Sequence, residues 1–236
     1  MEHLDQITAA IALSMGAAWA SGINLYATIL VLGLMGNSGA MPLPEQMQIV
    51  QEPIVIGASA LMYCVEFFAD KFPGIDTGWD AIHTFIRIPA GAALAAAAVG
   101  NVDPSFSLAA AIVGGTLSAA THATKTGSRM MINISPEPIT NWVSSISEDL
   151  AVFGGLWVAL NHPLLFLSAL IVFIILLIWL LPKLWGIICT MINVMYFLLT
   201  QKRKNNPSED IHEIIESNNE EISPPTMTKA SEQHDN

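Results

Sequence analysis

Apolar residues run along this chain in long blocks, interrupted by short clusters of Gly, Pro, Asn and Asp. Crossing ~30 Å of hydrocarbon at 1.5 Å per residue takes ~20 mostly apolar residues. Six blocks meet that length, at residues 8–35, 52–70, 79–100, 106–128, 141–160 and 164–181. Lipid offers no hydrogen-bond partner to an exposed peptide group, so each block is expected to be a helix. The joints carry breakers: Gly36-Asn37-Ser38-Gly39 through Pro44, Phe72-Pro73-Gly74, Asn101-Val102-Asp103-Pro104, Ser135-Pro136-Glu137-Pro138 and Asn161-His162-Pro163. Asp103 or Ser105 is placed to cap the fourth helix. The expected fold is an all-α integral membrane protein of six transmembrane helices.

A further apolar stretch, Leu184–Thr200, follows Pro182-Lys183. It reads as a seventh span or as an interfacial helix with Trp185 and Tyr196 at headgroup level. With six spans and both termini cytoplasmic, Lys71, Lys125 with Arg129, Lys183 and Lys202-Arg203-Lys204 all fall on the cytoplasmic side. A seventh span with a cytoplasmic C-terminus would move the first three groups outside. Six spans plus an interfacial or half-inserted C-terminal helix is therefore preferred. The chain divides into a membrane helical domain (1–182), the hydrophobic helix with its basic end (183–204) and an acidic tail (205–236).

Composition supports lipid as the solvent. Hydrophobic residues make up 53% and charged residues 12%, with a mean hydropathy of +0.52, whereas soluble domains carry roughly 25% charged residues. The net charge of -11 comes mostly from the tail, which holds eight acids and one lysine from Asn205 onward. Such a tail argues against nucleic acid or an anionic lipid surface as its partner, and its composition is that of a disordered segment. Cys64 and Cys189 lie inside apolar runs and read as small hydrophobes. The acidic N-terminus lacks the basic start and cleavage site of a secretory signal, so the first span is expected to be retained.

A 63-residue shift superposes Pro73 on Pro136, Trp79 on Trp142 and Gly91 on Gly154, and sets Glu66 opposite Arg129. Broken helical segments recurring in two halves point to a duplicated, transporter-like architecture. The shift also permits a charge pair between the halves.

Ionisable residues inside the spans carry the candidate chemistry, because a charge at the centre of a membrane helix costs about 2.5–3.5 kcal/mol unless paired or facing a cavity. Glu66 and Asp70 share one face of the second span, with Lys71 beside them. They read as a cation or proton site, or as an interfacial acidic pair neutralised by Lys71 and solvent. Asp80, His83 and Arg87 form a stripe on the third span, where Asp80 reads alternatively as a helix-terminal acid. His122, Lys125 and Arg129 form another on the fourth, among Thr121, Thr124, Thr126 and Ser128. That stripe suits a phosphate or carboxylate, or else a basic helix end snorkelling to the interface. Glu148 and Asp149 interrupt the fifth span and need neutralisers from the basic stripes, as a proton relay or a structural ion pair. In Ser21-Gly22-Ile23-Asn24-Leu25-Tyr26, Gly22 either breaks the first helix or only permits close packing, as Ala92–Ala98 does. No phosphate loop, nucleophile elbow, paired-histidine zinc motif or dinucleotide fingerprint occurs. No cofactor or resident metal is expected, and His83 and His122 lack ligand spacing within either helix.

Ser21–Ala27, Phe68-Ala69-Asp70-Lys71 through Pro73, Trp79-Asp80, Thr121–Lys125 through Arg129, Ser135–Pro138 and Ser147-Glu148-Asp149 resemble a family of bacterial and plant membrane proteins, domain-of-unknown-function family 4126. The resemblance covers residues 8–165 and leaves the last helices and tail outside it. It implies that the polar residues belong to a shared core and brings no reaction with it. A bacterial cytoplasmic (inner) membrane is the expected location. Three functions are weighed. The first is a permease for a small or anionic solute, proton-coupled, with its pathway among Asn24, Glu66, Asp70, Asp80, His83, Arg87, His122, Lys125, Arg129, Glu148 and Asp149. The second is a membrane-embedded enzyme acting on a lipid through a His–carboxylate pair. The third is a scaffold tethered by its tail. Partners expected are the bilayer, a small-molecule substrate and other copies of the chain, with no nucleic acid.

Overall fold

The computed structural model describes residues 2–72, 75–100, 103–132 and 138–204; the acidic tail and the landmarks Pro73 and Pro136 lie outside them. Most of the described residues are helical, and none of them lies in a strand. They form α1 (Glu2–Ile23), α2 (Leu25–Asn37), a 3-10 helix (Glu45–Gln51), α3 (Pro53–Ala69), α4 (Ile75–Ala98), α5 (Pro104–Ile132), α6 (Pro138–Asn161) and α7 (Pro163–Lys204). Five helices are long and apolar enough to cross a membrane, or six if the 3-10 helix and α3 count as one span bent by 62°. The chain is a multi-pass helical membrane protein. It divides into two units, Met1–Leu184 and Trp185–Asn236. The first holds every candidate residue.

Two boundaries depart from the apolar pattern. The expected first span is two helices, because Asn24 takes an extended conformation (φ -147°, ψ 101°) and its side chain accepts from Ala27 N, capping α2. At 13 residues α2 reaches only about 20 Å, and it packs against α3 instead of spanning. Gly22 is not the break: a Cβ there would come within 2.5 Å of the Ser118 carbonyl on α5. Pro182 does not end a helix either, and lies inside α7. The segment expected to be a separate C-terminal helix is part of that element. The start of α5 behaves as expected: Asp103 accepts from the Ser105 N–H and hydroxyl, and these bonds hold its carboxyl below its ordinary value.

α1, α4 and α5 pack through small residues. Ser14 on α1 donates to the Ala95 carbonyl at 2.8 Å. A Cβ on Gly114 would overlap Ala95, and one on Gly91 would meet the Ser118 and Ser21 hydroxyls at about 2.6 Å. Close approach of this kind replaces the hydrophobic driving force that lipid removes. The Ala stretch of α4 is thus a contact face.

The element bounds follow the 63-residue shift. α4 (75–98) maps onto α6 (138–161), both of 24 residues, and α3 and α5 end at Ala69 and Ile132. No ion pair joins Glu66 to Arg129 among the described residues. The charges between the halves are linked through Lys125 and Asp70 instead.

Candidate functional site

The C-terminal end of α3, the first half of α4, the last third of α5, the first half of α6 and the α1–α2 break converge on one polar cluster. Arg87 is the thirteenth of the 24 residues of α4 and Asp149 the twelfth of the 24 of α6, so both sit midway along a spanning helix.

Arg87 is fully buried and donates from Nη2 to Glu66 Oε1 at 2.6 Å and from Nη1 to Asp80 Oδ1 at 3.0 Å. Nη1 also faces His122 Nδ1 at 3.1 Å. A guanidinium only donates, so Nδ1 accepts and the proton of His122 is on Nε2, which donates to Thr84 Oγ1 at 2.7 Å. The Thr84 hydroxyl in turn donates to the Asp80 carbonyl at 2.9 Å. His122 is thereby fixed as a neutral tautomer.

Lys125 has three N–H donors and meets three acceptors: the Ile23 carbonyl at 3.1 Å, Asp70 Oδ2 at 3.2 Å and Glu66 Oε1 at 3.4 Å. Asp80 and Glu148 add carboxylates at 3.7 and 3.5 Å. The Ile23 carbonyl is available because of Asn24. In an unbroken helix it would accept from Ala27 N, which binds the Asn24 side chain instead.

Arg129 uses all of its donor nitrogens. Nε and Nη2 grip Glu148 at 3.0 and 2.8 Å, Nη1 reaches the Asp70 carbonyl and Asn141 Oδ1, each at 2.8 Å, and Nη2 reaches Asp70 Oδ2 at 3.3 Å. Asp76 lies 3.9 Å away. Ser144 donates to Glu148 from the preceding turn.

This geometry corrects two simpler readings. Lys125 and Arg129 do not snorkel; both are buried in ion pairs. Asp70 is not neutralised by Lys71, whose ammonium donates to the Phe67 carbonyl and lies over the Phe67 ring. Lys71, Lys125 and Arg129 are therefore interior charges, and carry no weight as loop charges in orienting the chain.

Asn24, Glu66, Asp70, Asp80, Arg87, His122, Lys125, Arg129, Glu148 and Asp149 are brought together. His83 stands apart from the ion pairs: its Nδ1–H donates to the Trp79 carbonyl, its Nε2 faces the Tyr26 hydroxyl at 3.1 Å, and its ring stacks on Trp79. Asp76 and Asn141 were not singled out by sequence reasoning. Both extend stripes already visible, as Asp76-Asp80-Arg87 on α4 and Asn141-Ser145-Glu148 on α6.

Among the described residues, six carboxylates (Glu66, Asp70, Asp76, Asp80, Glu148 and Asp149) face four cations (Lys71, Arg87, Lys125 and Arg129), two carboxylates more than cations. Glu66, Asp70, Asp80 and Asp149 each keep one buried oxygen without a hydrogen-bond partner among the described residues. No group of three or more His, Cys, Asp or Glu arranged to hold a metal occurs among those residues. Beside the cluster opens a groove of about 250 Å³, lined by Lys125, Glu148 and the hydroxyl residues Thr121, Thr124, Ser128 and Ser147, with Ile23, Ala151 and Phe173 as its apolar wall.

No curated protein and no solved structure matches the chain. The family model described as "Domain of unknown function (DUF4126)" matches residues 11–183. That range holds the polar cluster, the broken helix and the apolar helices around them, and the chain belongs to the DUF4126 family.

Proposed function

We propose that this protein is a proton-coupled permease for a small polar solute in a cytoplasmic membrane. The observation that carries the reading is a buried charge cluster with more carboxylates than cations, opening onto a hydroxyl-lined groove. Charges at such depth are costly, and where they line a path they mark ion and proton relays. A cluster with excess negative charge attracts protons and cations. Lys125, the only cation among the described residues that line the groove, is already surrounded by four carboxylates. The solute we propose is accordingly neutral or cationic, small, and held by hydroxyl groups and Glu148. The broken α1–α2 helix adds an element whose carbonyl is already turned to the cluster, as in transporters built on discontinuous helices.

The lipid-enzyme alternative needs a His and an acid in hydrogen-bond contact. The ring nitrogens of His83 and His122 are occupied by Trp79, Tyr26, Thr84 and Arg87, which favours transport. The test is uptake of labelled polyols, amides and amines into proteoliposomes driven by a pH gradient. Uptake should be selective, collapse with a protonophore, and fall at least ~10-fold in Glu148→Gln. Gradient-independent uptake, or none across these classes, contradicts the proposal.

A further inference from the structure

We infer that Asp149 is the acid that carries the coupling proton, and that the α1–α2 break is the element its charge controls. The inference rests on the transport reading and names the site within it.

Five of the six clustered carboxylates have a cation within 4 Å: Glu66, Asp70, Asp76, Asp80 and Glu148. Asp149 has none among the described residues. The groups that hydrogen-bond it are both neutral, the Asn24 amide, Nδ2 to Oδ1 at 3.2 Å, and the Tyr63 hydroxyl. It is 8% exposed and lies midway along α6. An unpaired carboxylate at that depth is the costliest ionised form in the cluster, so the excess negative charge is relieved first by a proton on Oδ2. The groups facing it are Tyr63 from α3, Asp70 and Lys71 just beyond α3, Lys125 from α5, and Asn24 at the break, with Glu148 adjacent on its own helix. Of these, only Lys71 and Lys125 carry positive charge.

Asn24 connects the acid to the fold. The same side chain that donates to Asp149 accepts from Ala27 N and so begins α2. The neighbouring residue, Ile23, offers its carbonyl to Lys125. Loss of the proton from Asp149 leaves a charge compensated by Lys71 and Lys125, and drawing Lys125 toward it weakens the bond to Ile23 and moves a wall of the groove. Proton release at Oδ2 is thus linked to groove shape through two adjacent residues of the broken helix.

The test is infrared spectroscopy of the purified full chain in lipid nanodiscs. At pH 7 the wild type should show the C=O stretch of a neutral carboxylic acid, lost in Asp149→Asn and retained in Glu66→Gln. Wild-type protein without this band, or a band undiminished in Asp149→Asn, overturns the inference. Should Asp149→Asn fail to fold, a membrane-permeant carbodiimide, which adds to protonated carboxyls, is applied to the wild type and mapped by mass spectrometry. Modification should centre on Asp149 and decline as pH rises; modification elsewhere only, or none, overturns it. A protonated Asp149 in a protein that moves no solute would sink the permease reading alone. Proton-coupled uptake undiminished in Asp149→Asn would sink this assignment alone.

Discussion

Replacing Arg87 by Met removes the cation at the centre of the cluster while keeping a stem of similar length in the same packing. Arg87 is fully buried and binds Glu66 at 2.6 Å and Asp80 at 3.0 Å. Without it, both carboxylates fall back on Lys125 at 3.4 and 3.7 Å, an ammonium already serving Asp70 and the Ile23 carbonyl. Breaking a buried pair by deleting one partner costs about 3–5 kcal/mol, chiefly because the surviving charge is stranded. For a domain of this size each kcal/mol moves the midpoint by ~2–4 °C, so Tm in detergent should fall by roughly 6–20 °C. Adding Glu66→Gln removes one stranded charge at almost unchanged shape, and the double variant should regain several degrees over Arg87→Met. Thermal unfolding followed by circular dichroism reads all four corners of the cycle. A single variant within ~2 °C of wild type, or strictly additive effects, would refute the reasoning, because contacting charges must couple.

Three further outcomes follow from the same geometry. Asn24→Ala should destabilise by ~1–3 kcal/mol through loss of the α2 cap and of the donor to Asp149, and Asn24→Ser should recover the cap share, both read by chemical denaturation in detergent. Gly114→Ala forces a Cβ onto Ala95 and should cost about 1–3 kcal/mol, whereas Gly154→Ala, where nothing lies within 4 Å, should be neutral or mildly stabilising. The Asp103 cap lowers that carboxyl, so its contribution is complete above the ordinary carboxyl range and disappears as pH falls through the depressed value; NMR titration should show this midpoint rising in Ser105→Ala.

Much of the fold was legible because lipid imposes a length and a composition on every span. The bounds of α4, α5 and α6 follow from apolar blocks between Pro and Gly clusters. A break within Ser21–Tyr26 was one of two readings of that segment, but it was assigned to Gly22; that Asn24 makes it was not legible, since apolar residues continue through it and the signal is one side chain bonding its own backbone three residues on. α7 hid from the pattern for the opposite reason, because Pro182 ordinarily ends a helix. Within the site, helical spacing identified the stripes and their need for each other. It did not reveal which charges meet, since that depends on the order in which helices pack. Lys71 and Lys125 look alike along the chain, yet one turns to an aromatic ring and the other anchors four acids. The isolation of Asp149 beside a fully paired Glu148 is likewise a property of side-chain direction on neighbouring positions.

The most direct measurement of the central claim is proton entry into proteoliposomes containing a pH-sensitive dye, after an external acid step with the membrane potential clamped. The account predicts protein-dependent acidification that is enhanced by a transported solute and abolished in Asp149→Asn. Acidification no faster than in empty liposomes, with and without every solute that the protein binds, would contradict it.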